Sequence, residues 1–201
     1  MKRIFVLLFL FSPFFMVNSQ VINIDNGFIH TTTKFKANKI CNHNSYSGII
    51  SIDYFEKKKY YITTQVGYHT TGYYATQSNF LGHITDNHKF ISDDLHVSTT
   101  VRYKIPVYKL FVYVGLGPKI DFTFNRKKSE NHTYRYTYPY TDHFRNMFGG
   151  KFDFGVYTDI QKKYRVGINT AYLTNFNNGN INTNKFVCGL SIGYILGQST
   201  N

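Results

Sequence analysis

The chain contains no tryptophan, two cysteines and four prolines in 201 residues. Two cysteines cannot build a disulfide scaffold or a Cys-based zinc site. So few prolines, with 15 glycines, exclude collagen-like and linker compositions. Acidic residues are scarce, 11 against 23 lysines and arginines, for a formal charge of +12. Helical patterning is also missing: no window repeats apolar residues at i, i+3, i+4 and i+7 over a helix-sized span. What the chain has in quantity is Phe and Tyr, 19 and 18 residues. That content excludes a disordered chain, which would be charge-rich and aromatic-poor. The length fits one domain able to bury a core without disulfides or metal.

The N-terminus sets the compartment. Lys2-Arg3 precedes an apolar run from Ile4 to Val17, broken only by Ser12 and Pro13. Val17-Asn18-Ser19 then offers the residues a signal peptidase accepts, so residues 1–19 are expected to be a secretory signal peptide cut before Gln20. The run is too short for a spanning helix. Residues 20–201 are then one exported domain.

Beyond that point the period is two. In 60–68 one face reads Tyr60, Ile62, Thr64, Val66, Tyr68 and the other Tyr61, Thr63, Gln65, Gly67. Leu110, Val112, Val114 and Leu116 alternate with Phe111, Tyr113, Gly115 and Gly117, and the same rhythm runs through 152–160, 164–176 and 186–196. Such repetition predicts an all-β fold. Eight strands are expected near 22–33, 46–56, 59–70, 94–105, 110–125, 147–159, 164–176 and 184–196.

Connection lengths narrow the class. Turns at 56–59, 106–109 and 160–163 are short and polar or Pro-bearing, whereas 34–45, 71–93, 126–146 and 177–183 form longer loops. Strict alternation of long and short is the pattern of a transmembrane β-barrel, with short turns on one side and surface loops on the other. An even strand count puts both termini on the short-turn side. The expected fold is an eight-stranded antiparallel transmembrane up-and-down β-barrel, and a monomer.

The faces agree. An eight-stranded barrel has an interior that side chains just fill. The glycine-rich face leaves room there for Arg102, Lys104, Lys119 and Arg165 opposite Asp53, Asp121, Asp153 and Asp159. The Val/Ile/Leu/Phe/Tyr face then points outward into lipid, with Tyr60, Tyr103, Phe124, Phe152, Tyr172, Phe176 and Tyr194 as candidates for the interfacial girdles. A soluble two-sheet sandwich would place the same apolar face in a core, and remains the alternative at this point.

Tyr103-Lys104-Ile105-Pro106, Val114-Gly115-Leu116-Gly117-Pro118, the Gly149 to Val156 segment, Tyr172 to Asn177 and the closing Gly189-Leu190-Ser191-Ile192-Gly193-Tyr194 occur in that order. The series resembles the PorT-like outer-membrane β-barrel family of Gram-negative bacteria over roughly residues 22–197. The resemblance implies an outer-membrane location and an envelope or secretion-accessory role. The chain departs from many outer-membrane barrels in its tail, 197–201, which follows the last strand instead of ending on an aromatic residue.

Candidate chemistry is sparse. The interior charges read best as a salt-bridged plug, because eight strands leave no lumen for an aqueous channel. In the third long loop Tyr134, Tyr136, Tyr138 and Tyr140 alternate with Arg135, Thr137 and Pro139 and are followed by Arg145. Aromatic residues with arginine compose binding surfaces, suited to a glycan, a lipopolysaccharide phosphate or an envelope protein partner. His83, Asp86 and His88, and Asp142-His143, lie in long loops at spacings that fix no metal geometry. No catalytic, cofactor or metal site is expected, and an exported barrel has no nucleic acid to bind. Cys41 and Cys188 would approach each other only if barrel closure aligned them; Cys188 otherwise fits as a small apolar residue on the lipid face.

Overall fold

The computed structural model describes residues 20–35, 40–56, 58–78, 84–128, 146–176 and 181–196, with the backbone alone described at the loop-side strand ends (35, 40–41, 72–78, 84–91, 125–128, 146 and 181–182). Eight strands run β1 Gln20–Phe35, β2 Ile40–Tyr54, β3 Tyr60–Ser78, β4 Ile84–Val107, β5 Leu110–Lys128, β6 Asn146–Ile160, β7 Tyr164–Asn175 and β8 Ile181–Leu196. Each pairs antiparallel with its sequence neighbour, and β1 pairs with β8 from Gln20↔Leu196 to Phe35↔Ile181. The sheet is therefore closed. The sandwich alternative is excluded, because every strand belongs to one ring without free edges.

Alternation decides the two surfaces. Ile24, Leu116, Leu190 and Ile192 are each more than 60% exposed on the outer wall. Residues of the opposite parity, among them Asp25 and Lys185, are buried inside. This is a globular protein's polarity turned inside out, and only a nonpolar surrounding makes it favourable. Aromatic pairs ring both ends of the wall. Tyr60 lies 4.9 Å from Tyr103 and Tyr164 5.8 Å from Tyr194 near the short turns. Tyr68 and Phe124, and Phe148 and Phe176, pair near the other end. On β3, Tyr60 and Tyr68 bracket about the 9–11 residues a tilted strand needs to cross a bilayer. Phe152 lies between the girdles, opposite Leu116 and Tyr172.

The expected loop bounds are corrected. The second long loop, expected over 71–93, is largely a hairpin: β3 continues to Ser78 and β4 begins at Ile84, with the ladder continuing through Thr71↔Ser92, Tyr73↔Phe90 and Thr76↔Asn87. The β-branched and aromatic residues of 70–76 favour that extension. β4 reaches 24 residues, about twice a spanning length, so the β3–β5 side projects beyond the band. The cysteines are not neighbours: Cys41 pairs with Thr33 on one side of β1, while Cys188 pairs with Phe28 on its other side. Two strand spacings of about 4.8 Å and a five-residue offset of about 3.3 Å each separate them far beyond disulfide reach. Cys188 is free and exposed on the wall.

Among the described residues, the four non-glycine residues with positive φ sit in the short turns: Phe55 (62°), Tyr108 (57°), Gln161 (52°) and Lys162 (56°). The two-residue β4–β5 hairpin, Tyr108-Lys109, has a left-handed first residue because such a turn matches the right-handed twist of its strands.

Candidate functional site

The lumen holds the densest chemistry. Near the short turns, Asp53 on β2 accepts from Thr63 (2.7 Å), from Asn23 (3.1 Å) and from the Nη1 groups of Arg165 (3.2 Å) and Arg102 (3.5 Å). Arg102 Nε and Nη2 both donate to Asp153 Oδ2, at 3.0 and 2.6 Å. Arg165 grips Asp159 through two nitrogens, 2.8 and 3.2 Å, and reaches Glu56 at 3.0 Å. Glu56 also accepts from Lys104 and from the Tyr157 hydroxyl, each at 2.7 Å. The guanidiniums stack on tyrosines, Arg102 over Tyr113 at 4.3 Å and Arg165 over Tyr157 at 3.7 Å. Glycines make the space: a Cβ at Gly115 would lie 2.7 Å from Arg102 Cγ, and one at Gly155 would lie 2.5 Å from the Tyr113 ring.

Toward the loop end, Asp121 accepts from Lys119 (2.6 Å), Lys185 (3.0 Å) and His96 (2.7 Å). Asp94 accepts from Thr71 (2.5 Å), Thr123 (2.7 Å) and Lys185 (3.2 Å). Lys119 also donates to Asn175. A chain of contacts joins the two groups: Lys151 lies 3.9 Å from Asp153 and donates to Gln65, whose carbonyl is 3.3 Å from Ser98, itself 3.0 Å from His96.

All eight lumen charges anticipated from the sequence face the interior, in two groups: Asp53, Arg102, Lys104, Asp153, Asp159 and Arg165 near the short turns, Lys119 and Asp121 above them. Sequence reasoning missed Glu56, Asp94, His96, Lys151 and Lys185. For four of these the signal was present. Asp94 and His96 share the parity of Arg102, Lys151 that of Asp153, and Lys185 that of Val187. Glu56 lies beyond the strand, where the left-handed backbone of Phe55 resets the parity. The Tyr/Arg loop residues Tyr134, Arg135, Tyr136, Tyr138, Tyr140 and Arg145 lie outside the described residues, as do residues 1–19.

Asp121, His96 and Ser98 form a nucleophilic-triad sequence of contacts. A carboxylate only accepts, so His96 Nδ1 carries the proton toward Asp121 and Nε2 is left facing the Ser98 hydroxyl. A triad needs a substrate-accessible nucleophile. Ser98 is 3% exposed, His96 and Asp121 not at all, and Lys119 and Lys185 already bind the aspartate. The arrangement orients a buried histidine. A polar cavity of about 20 Å³, lined by Asn23, Asp25, Tyr61, Arg102 and Arg165 among others, has room for about one water and none for a sugar or a hydrated ion.

No family model and no curated protein sequence matches the chain. Among solved structures it is similar to the outer membrane protein OprG from Pseudomonas aeruginosa, at 12% identity and a TM-score of 0.55, covering 90% of this chain and 97% of that one. It is similar also to Neisserial surface protein A, at 10% identity and a TM-score of 0.52, covering 88% and 98%. The fold is theirs: a closed eight-stranded antiparallel β-barrel. Apolar wall, charged lumen and paired girdles are the features that such a barrel needs in lipid.

Proposed function

We propose that this chain is an integral outer-membrane β-barrel, exported by a signal peptide cleaved before Gln20, and a non-enzymatic structural or surface-interaction component of the envelope. The observation that carries the reading is the inverted polarity of the wall and lumen: Lys185, Asp94 and Asp121 are wholly buried while Leu116 and Leu190 are two-thirds exposed. A water-surrounded protein would be destabilised by that arrangement, and a bilayer stabilises it. The ordered motifs that resemble the PorT-like family support a secretion-accessory version of this role.

The lumen is a plug. Some of its ion pairs tie strands that are not neighbours, Arg165 of β7 to Asp53 of β2 and Arg102 of β4 to Asp153 of β6, and these cross the interior instead of lining it. In planar bilayers the protein should give no steady unitary openings; sized, repeatable openings would overturn the plug. The deciding experiment for fold and place is electrophoresis of the outer-membrane fraction with and without boiling. A closed barrel keeps its internal hydrogen bonds in cold SDS and runs as a compact, shifted band. A protein that shows no shift and is recovered soluble from periplasm or medium would overturn the membrane reading.

A second reading, ligand binding through Tyr134, Arg135, Tyr136, Tyr138, Tyr140 and Arg145, rests on the composition of that loop. Outer-membrane lipopolysaccharide or a surface glycan would meet its arginines and rings. Replacing the four tyrosines by serine should reduce retention on immobilised lipopolysaccharide at least severalfold while leaving the heat shift intact; unchanged retention would leave the structural role alone.

A further inference from the structure

The short-turn end of the barrel separates its charges by sign. Glu56 turns inward to Lys104, Tyr157 and Arg165, and Asp159 is gripped by Arg165, so the acidic side chains here are neutralised within the barrel. The lysines of the turns point the other way. Lys58 and Lys59 in the β2–β3 turn, Lys109 in the β4–β5 turn, and Lys162 and Lys163 in the β6–β7 turn are all exposed. The turns recur at every second strand around the ring, so these cations form a collar and not one patch.

Aromatic rings lie with them. Lys58 Nζ is 5.8 Å from the Phe55 ring, Lys109 Nζ 5.5 Å from Tyr108, and Lys163 Nζ 5.7 Å from Tyr164 and 5.8 Å from Tyr194. Tyr108 is 94% exposed, held at positive φ in a turn where glycine would be free of strain. Exposed rings beside cations at the end of an apolar wall, three of them tyrosines with a polar tip, match the boundary where acyl chains meet headgroups. The outward cations are all of one type. Arginine, whose planar fork suits fixed carboxylates, stays inside on Asp53, Asp153 and Asp159, while the outward cations are lysines. A flexible ammonium suits partners that move and differ in height, as lipid phosphates do.

We propose that this collar binds the anionic phosphodiester headgroups of glycerophospholipids in the leaflet on the short-turn side. The inference rests on the membrane-barrel reading and adds a lipid preference at one end of it. A soluble acidic polymer would satisfy the lysines but not the wall-level tyrosines.

The test uses the full barrel in phosphatidylcholine bilayers containing a trace of spin-labelled phosphatidylglycerol or spin-labelled phosphatidylcholine, with the motionally restricted fraction read by electron paramagnetic resonance. The anionic label should be restricted at least about twofold more than the zwitterionic one, because juxtamembrane lysines attract anionic lipid. The excess should shrink in about 1 M salt. It should vanish when Lys58, Lys59, Lys109, Lys162 and Lys163 are all changed to Gln, and survive when all five are changed to Arg. Equal restriction of both labels by the folded wild type would overturn the collar, as would a preference that outlasts the five glutamines. The heat shift of the same samples reports the barrel separately: its absence in the wild type would overturn the membrane reading itself.

Discussion

Lys185 on β8 holds its ammonium 3.2 Å from Asp94 on β4, and those strands stand at opposite points of the eight-strand ring. The same ammonium is 3.0 Å from Asp121 on β5. One side chain thus spans the lumen and joins two carboxylates that no solvent reaches. Changing Lys185 to Met keeps the volume and leaves Asp94 to Thr71 and Thr123 alone. Breaking a buried pair from one side costs about 3–5 kcal/mol, and the donors that remain put this case near the lower figure, about 3 kcal/mol. Denaturant unfolding in detergent should show it, and the temperature of the gel shift should fall. An unchanged midpoint would mean the tie across the lumen adds nothing to stability.

The Ser98–His96–Asp121 series makes a sharper test, since its contact order is that of a nucleophilic triad. Full enclosure predicts that the folded barrel is not labelled by a fluorophosphonate probe, and that Ser98→Ala retains the heat shift and loses about 1–3 kcal/mol, because it removes the contacts to His96 and Gln65 and leaves His96 Nε2 buried without its partner. Labelling at Ser98 in the native, unboiled protein would show that the lumen opens and that the site reacts.

Much of this lumen was legible in the sequence. Period two places Asp53, Arg102, Asp121, Asp153 and Arg165 on one face, and closure turns that face inward. The partners were not legible. Arg165 meets Asp53 across two intervening strands, and which residues meet depends on the stagger of the ring, which alternation does not encode. Glu56 was hidden for a local reason: a left-handed Phe55 breaks the strand's alternation one residue before it. The β3–β4 extension was hidden because its polar residues read as loop, although its threonines and tyrosines pair as strand.

The β6–β7 turn invites a stabilising change. Lys163 N–H donates to Ile160 C=O at 3.1 Å across Gln161 and Lys162, both left-handed. A left-handed residue with a Cβ costs about 1–2 kcal/mol, and glycine gives back about 0.4–1 kcal/mol through its freer unfolded chain. Gln161→Gly leaves every collar lysine in place and should gain roughly 0.5–1 kcal/mol in unfolding free energy. A loss of stability would show that the Gln161 side chain makes a contact that outweighs the backbone strain.

Glu56 sets an acid limit on the short-turn end. Burial pushes its carboxyl up, but the Arg165 guanidinium, followed by hydrogen bonds from Lys104 and Tyr157, outweighs burial and holds it below the ordinary carboxylate range. A group whose folded value is depressed stabilises the fold above its unfolded value and loses that contribution as pH falls through the folded one. Glu56→Gln keeps the shape and removes the charge. The stability difference between wild type and Glu56→Gln should therefore be large at about pH 7 and shrink toward about pH 3. Denaturant midpoints of both proteins at the two pH values decide it. A gap that does not change with pH would mean that Glu56 acts through shape and hydrogen bonding, and that its charge toward Arg165 adds nothing.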